Sequence, residues 1–225
     1  MAEELIEAEP TNGKKIWYAV PSSKGQGSWK EWKDAGFNVA MLGENQPKDE
    51  SLDVFIHALD KEYLGYPWAI KRLMDYCFTT GDLVLVGSDD VFPTTSCNEY
   101  VAKYLFAYPN LDGLVEPSGG KKIGERQLCI CPMVGREFFS RYNQGRGIYD
   151  TSYSHFYADQ ELSIASEQMG KLTRDDSIRF DHRHWTKDGS NRPDHMIRWK
   201  AGAQADEDNF HKRRANGFKD AIWQH

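Results

Sequence analysis

The hydrophobic and polar positions of this chain fall first into a strand–helix alternation. Lys15-Ile16-Trp17-Tyr18-Ala19-Val20-Pro21 and Phe37-Asn38-Val39-Ala40-Met41-Leu42 are short apolar runs, and Val54-Phe55-Ile56-His57-Ala58 is a third candidate strand. Such continuous blocks mark strands buried on both faces. Ser28 stands where it would cap a short helix to Ala35, stopped by Gly36. Between Trp68 and Phe78, Ile70, Leu73, Met74 and Cys77 recur at helical spacing, and Gly81 ends the stripe. Leu83-Val84-Leu85-Val86 follows as another strand. The alternation predicts a mostly parallel sheet flanked by helices.

Beyond residue 93 the order changes. Helices are expected over 98–107, 136–142 and 159–169, the last ending at Gly170. Strands are expected at Leu114-Val115-Glu116-Pro117, at Leu128-Cys129-Ile130-Cys131-Pro132 and at Ser177-Ile178-Arg179-Phe180. Residues 1–13 are acidic and read as a mobile tail. Residues 14–185 form the expected catalytic domain. Residues 186–225 are polar, aromatic and irregular, and read as an arm across the active-site face. Trp185, Ile197, Trp199, Phe210, Phe218 and Trp223 need burial, which argues for order there.

Composition narrows this further. A length of 225 residues suits one good core. The net charge of −6 opposes a generally basic nucleic-acid surface. The charge is uneven, since residues 171–225 carry twelve Lys and Arg against nine Asp and Glu, together with five of the seven His. A phosphate-bearing ligand would be met there. The sequence shows no signal-peptide pattern and no long apolar run, so the expectation is a soluble cytoplasmic chain, without a membrane partner, whose four cysteines stay reduced.

The candidate chemistry begins at Val86-Gly87-Ser88-Asp89-Asp90, where a buried strand ends in adjacent carboxylates. Open α/β sheets bind ligands at this edge, and hard divalent cations carrying phosphate need such oxygens. Taken alone, the pair reads first as a helix cap or a solvated turn. His182 and His184 alternate, so on a strand they face the same way, which suits metal ligation or an exposed polar face. Cys129 and Cys131 would share a face of their expected strand. With the two histidines they offer an alternative zinc set whose spacing fits no standard pattern. Asp159 starts a helix and is by itself an ordinary cap. Tyr149, Tyr153, His155, Phe156 and Tyr157 are stacking surfaces for a sugar or base, a lid, or core. His211-Lys212-Arg213-Arg214 is a diphosphate grip or a solvated basic turn.

In order and spacing these segments resemble the GT-A-fold, family-2-like nucleotide-sugar-dependent glycosyltransferases over most of residues 14–185. The resemblance implies a nucleotide loop at Ala19-Val20-Pro21-Ser22-Ser23 and a nucleobase contact at Glu44 or Asn45. It implies a Gly-x-x-x-Ala stretch at Gly65-Tyr66-Pro67-Trp68-Ala69, with Lys71 as a polar nucleotide contact. The family's Asp-x-Asp motif falls on Ser88-Asp89-Asp90, with Ser88 in place of the first Asp. The resemblance implies Mn²⁺ or Mg²⁺ held by Asp89, Asp90 and His182 or His184, and Asp159 as catalytic base beside Ala158, where the family has Glu. The implied activity is transfer of a sugar from a nucleotide-diphosphate donor, UDP-sugar favoured, to an acceptor hydroxyl with inversion. The acceptor is open among a glycan, a small molecule, a protein and a modified nucleic-acid base. The departures at Ser88 and Ala158 leave a degenerate sugar-nucleotide-binding module as one alternative. A nucleotidyltransferase is another, for which Ser22-Ser23-Lys24-Gly25-Gln26-Gly27 is a poor phosphate loop. His195-Met196-Ile197-Arg198-Trp199 departs from the Gln-x-x-Arg-Trp motif of processive synthases at its first position, and processive synthesis is not expected.

Overall fold

The computed structural model describes residues 13–22, 28–44, 52–58, 64–118, 122–123, 126–183 and 202–222. The first half runs β1 (Ile16–Ser22), α1 (Trp29–Asp34), β2 (Asn38–Glu44), β3 (Val54–Ala58), α2 (Tyr66–Thr80), β4 (Leu83–Val86), β5 (Val91–Pro93) and α3 (Cys97–Ala107). The second half runs β6 (Leu114–Ser118), β7 (Lys122–Ile123), β8 (Arg126–Gln127), β9 (Met133–Gly135), α4 (Arg136–Arg141), α5 (Ala158–Gln168), β10 (Leu172–His182) and α6 (Ala203–Ala215). Among the described residues one sheet has the order β3-β2-β1-β4-β9-β6-β10-β5, and β7 and β8 form a separate hairpin. β1 pairs in parallel with β2 and β4, β2 with β3, and β6 with β10. β9 is antiparallel to both β4 and β6, and β5 is antiparallel to β10.

The strand pleat divides the core between the two faces of this sheet. Trp17 and Ala19 of β1 pack on one side with Ile70, Leu73 and Met74 of α2, Phe138 of α4 and Leu162 of α5. Ile16, Tyr18 and Val20 pack on the other with Trp29 and Trp32 of α1 and Tyr100 and Tyr104 of α3. Three layers result, which is why the early strands read as unbroken apolar runs rather than as alternation. Trp32 is the hinge pin of the second layer. It is fully buried, it stacks on Tyr18 at 4.5 Å between centroids, and its indole N–H donates to the Val91 carbonyl at 2.8 Å.

Several expectations need correction. Residues 128–132 are not a strand; the strand lies just beyond, at Met133–Gly135. Pro132 lacks an N–H, and the N–H groups of Ile130 and Cys131 are taken by the Glu116 carboxylate instead of a ladder partner. Cys129 and Cys131 therefore do not share a face. Cys129 lies in the α2–α5 layer and Cys131 in the α1–α3 layer. That removes the zinc alternative.

Ser28 does not cap α1 through its side chain; its hydroxyl is buried 3.3 Å from the Tyr18 hydroxyl. The late strand is longer than its apolar part, because its register slips between Asp175 and Arg179 and polar residues fill that stretch. The C-terminal segment contains a thirteen-residue helix, α6, where irregular chain was expected. Only Asp206 and Phe210 are buried on it, too little to print an apolar stripe. Phe218 is buried as expected, whereas Trp185, Ile197, Trp199 and Trp223 lie outside the described residues.

Trp32→Ala should cost about 3–5 kcal/mol, the usual range for emptying a large aromatic site. The midpoint of urea unfolding measures this, and a loss within error of zero would contradict the central place given to this ring.

Candidate functional site

The site is built at the carboxyl end of β4. Chain leaving Val86 passes through Gly87, where any Cβ would collide with the Tyr18 ring. The turn that follows is tied from beneath. The Tyr18 hydroxyl donates to the Ser88 carbonyl at 2.8 Å, and the Tyr66 hydroxyl, at the start of α2, donates to the Gly87 carbonyl at 3.1 Å. Burial pushes the Tyr18 pKa well up, so this donor stays neutral. The backbone of Ser88-Asp89-Asp90 is thus tied by the buried Tyr18 and half-buried Tyr66 hydroxyls, and Asp89 and Asp90 are themselves half-buried.

The two carboxylates diverge. Asp89 Oδ2 accepts a hydrogen bond from Ser22 Oγ at 2.8 Å, which joins it to the tip of β1. Asp90 Oδ1 accepts from Ser88 Oγ at 2.6 Å, and Asp90 Oδ2 lies 3.2 Å from His182 Nε2. Ser88, standing where a first Asp was expected, therefore braces Asp90. Ninety-two positions of sequence separate Asp90 from His182. The β10–β5 register closes that gap by setting His182 opposite Val91, and the Arg183 N–H donates to the Asp90 carbonyl at 2.8 Å. The Arg183 guanidinium lies over the Phe92 ring at 3.9 Å.

Pro21 and Ser22 end β1 opposite Leu42 and Gly43, and Glu44 ends β2 opposite Ala58, so all three lie at the same edge of the sheet. Asn45 and His184 lie outside the described residues. Lys71 is on α2, paired with Asp75 at 2.6 Å and packed beside Gly147. Among the described residues no three metal-ligating side chains are gathered as a ready cage. Asp90 and His182 make a pair, with Asp89 next in sequence turned toward Ser22.

Asp159 occupies the first turn of α5, half-buried, with Oδ1 accepting the Gln160 N–H at 2.9 Å. Helix N-termini stabilise a carboxylate placed there. The turn before it is sharp, because Tyr157 adopts φ 68° at the cap position. Glu161, two residues on, is committed elsewhere. It is buried and accepts from the Tyr153 hydroxyl at 2.6 Å, and Arg213 donates to both of its oxygens at 2.7 and 2.6 Å. Arg213 also lies 2.9 Å from Asp150. It is therefore neither a diphosphate grip nor a solvated turn. The two acids hold the Arg213 pKa above its ordinary value. Burial pushes the Asp150 pKa up, but hydrogen bonds from Ser152 and the charge of Arg213 outweigh it and leave it lowered. Tyr149 and Tyr153 are core residues rather than exposed stacking surfaces; His155, Phe156 and Tyr157 are half-buried.

Sequence reasoning missed one acid, Asp206, and the burial of another, Glu116. Asp206 is treated below. Glu116 has no solvent exposure, and its Oε1 accepts the N–H groups of Ile130 and Cys131 at 3.2 and 3.4 Å. Among the described residues its Oε2 has no hydrogen-bond partner. Burial raises its pKa well above the ordinary value. The sequence signal was an acid inside the apolar run Leu114-Val115-Glu116-Pro117.

This arrangement of a mostly parallel sheet, with ligand-side carboxylates at the tip of its fourth strand, is a GT-A fold. A structure of S. aureus TarS residues 1–349, solved with UDP, is similar with a TM-score of 0.53 at 9% identity, covering 74% of this chain. The chain spans 59% of that TarS fragment. Glucosyl-3-phosphoglycerate synthase from Mycobacterium tuberculosis, solved with Mn²⁺, UDP and phosphoglyceric acid, is similar with a TM-score of 0.52 at 13% identity, covering 87% of this chain and 78% of its own. No family model and no curated protein matches the sequence. No helix among the described residues is long and apolar enough to cross a membrane.

Glu116 generates a pH prediction. Its folded pKa lies above the ordinary 4.5, so the stability it contributes is full below that value and is lost as pH rises through the folded pKa. Glu116→Gln keeps the acceptor for Ile130 and Cys131 and cannot titrate. Urea melts between about pH 5 and about pH 8 should show wild-type stability falling relative to this variant. Parallel profiles would mean that Glu116 is ionised in the fold.

Proposed function

We propose that this protein is a glycosyltransferase that moves a sugar from a nucleotide-diphosphate donor, a UDP-sugar, to an acceptor hydroxyl with inversion. The observation that carries the reading is the Asp89-Asp90 turn at the sheet's ligand edge, with Asp90 drawn against His182 across the β10–β5 pairing. The likeness of the fold to two proteins crystallised with UDP supports it.

The donor set fits Mn²⁺ or Mg²⁺. Such ions take few protein ligands when phosphate and water complete the shell, and an imidazole beside a carboxylate favours Mn²⁺. Asp90 and His182 would hold the ion, with His184 as a further candidate. When bound, the ion neutralises charge developing on the leaving diphosphate. Asp89 and Ser22 form one hydrogen-bonded unit between the tips of β4 and β1, suited to the nucleoside side of the donor. Pro21, Glu44 and Asn45 would line its base, and Lys71 would contact the nucleotide from α2. Asp159 takes the proton from the acceptor hydroxyl as that oxygen attacks the anomeric carbon. Neither Glu161 nor Glu116 competes for this role, since one is ion-paired to Arg213 and the other has no solvent exposure.

Calorimetry of UDP binding should show an affinity that depends on Mn²⁺ and that Asp90→Ala abolishes. Equal binding in EDTA would remove Asp90 and His182 from the ion. Asp159→Asn preserves shape and the bond to Gln160 while removing basicity. It should leave UDP affinity intact and slow sugar transfer by about 100-fold or more, the usual worth of a general base. Transfer at the wild-type rate, or a product that retains the donor's anomeric configuration, would refute this assignment. Metal-dependent UDP binding without transfer to any acceptor would identify a binding module instead.

A further inference from the structure

One face of α6 brackets Asp159. Asp206 is 3% exposed and accepts four hydrogen bonds from the loop before α5: Ser154 N and Ser154 Oγ at 2.8 Å, His155 N at 2.9 Å and Phe156 N at 2.8 Å. One turn on, Phe210 stacks on Tyr157 at 5.2 Å between centroids. Another turn on, Arg213 grips Glu161 through both oxygens and reaches Asp150. The spacing 206, 210, 213 places all three on one helical face. They hold residues 154–156, 157 and 161, the positions on either side of Asp159.

A Cβ at Gly65, where φ is 116°, would collide with the Ser154 carbonyl, so the start of α2 abuts this loop directly. An acid buried so deeply is tolerated because backbone N–H groups solvate it, and the half-buried Arg213 is fixed by charge-assisted bonds to two acids. Their cost in desolvation is spent on geometry around one carboxylate.

We propose that Asp206, Phe210 and Arg213 are positioning residues for the acceptor half of the reaction, so that α6 is a structural part of the site that holds Asp159 in reach of the acceptor hydroxyl. This inference rests on Asp159 as the base. A base displaced by about 1 Å loses on the order of 100-fold in rate, whereas donor affinity is set at the far edge of the site. Asp206→Ala should therefore lower kcat for transfer at least about tenfold and leave the donor KM and the UDP Kd within about twofold. Amide hydrogen exchange in the full-length variant should rise across residues 154–162 and stay unchanged across residues 83–91. Asp206→Asn, which keeps size and one acceptor, should fall between wild type and Asp206→Ala in both measurements, and it carries the test if the alanine variant does not fold. Unchanged exchange over 154–162 overturns the proposal. So does raised exchange with unchanged kcat, and so does a parallel loss of kcat and UDP affinity, which would mark a merely structural role. If wild-type protein transfers sugar to no acceptor, the functional reading falls, and the exchange measurement still decides whether α6 holds this loop.

Discussion

The site depends on the pairing of the far end of β10 with the three-residue strand β5. β10 starts as a parallel neighbour of β6, slips register between Asp175 and Arg179, and ends antiparallel to the chain just past the carboxylate turn. Without that slip the strand would keep the β6 register and carry His182 away from Asp90. With it, His182 falls opposite Val91 and the Arg183 N–H closes on the Asp90 carbonyl. A backbone ladder of three residue pairs therefore creates the contact between a carboxylate and an imidazole distant in sequence. Main-chain pairing is well suited to this task, because it fixes position without occupying the side-chain atoms that chemistry needs.

The acids of the chain divide by environment. Asp89, Asp90 and Asp159 are half-buried at the sheet edge or a helix start, where each remains reachable. Glu116, Glu161 and Asp206 are buried, and each has a separate remedy for the desolvation of its charge. Glu116 accepts two backbone N–H groups and has its pKa pushed up, Glu161 takes a bidentate Arg, and Asp206 takes backbone N–H groups. Removing Arg213 would leave the buried Glu161 carboxylate without its counter-charge, typically a loss of about 3–5 kcal/mol. The buried acids build the frame, and the half-buried ones are those proposed to act in it.

Much of the fold was legible because buried parallel strands and amphipathic helices print their periods on the sequence. The runs at 16–20, 38–42 and 83–86 and the stripe Ile70-Leu73-Met74-Cys77 became β1, β2, β4 and α2. What failed to print was held by polar groups. Residues 128–132 look like a strand, but Ile130 and Cys131 spend their N–H groups on Glu116 and Cys129 gives its own to Ser163, and α6 buries one Phe and one Asp, so hydrophobicity did not announce it. In the site, the carboxylate pair and the alternating histidine were visible as motifs, since strand ends and period-two spacing are local. The commitment of Glu161 and Arg213 to each other was not, because it joins positions 52 residues apart through side chains alone. The bracing of Asp90 by Ser88 was likewise hidden, although the two residues are neighbours, because sequence gives no side-chain direction in a turn.

The most direct test is a crystal of the protein soaked with UDP and Mn²⁺, with anomalous scattering recorded at the manganese edge. The account predicts one manganese peak within coordination distance of Asp90 and His182, about 2.0–2.3 Å from their ligand atoms, with the diphosphate bound to it and the uridine toward Ser22. A manganese peak elsewhere, or UDP bound away from the tips of β1 and β4, would contradict it.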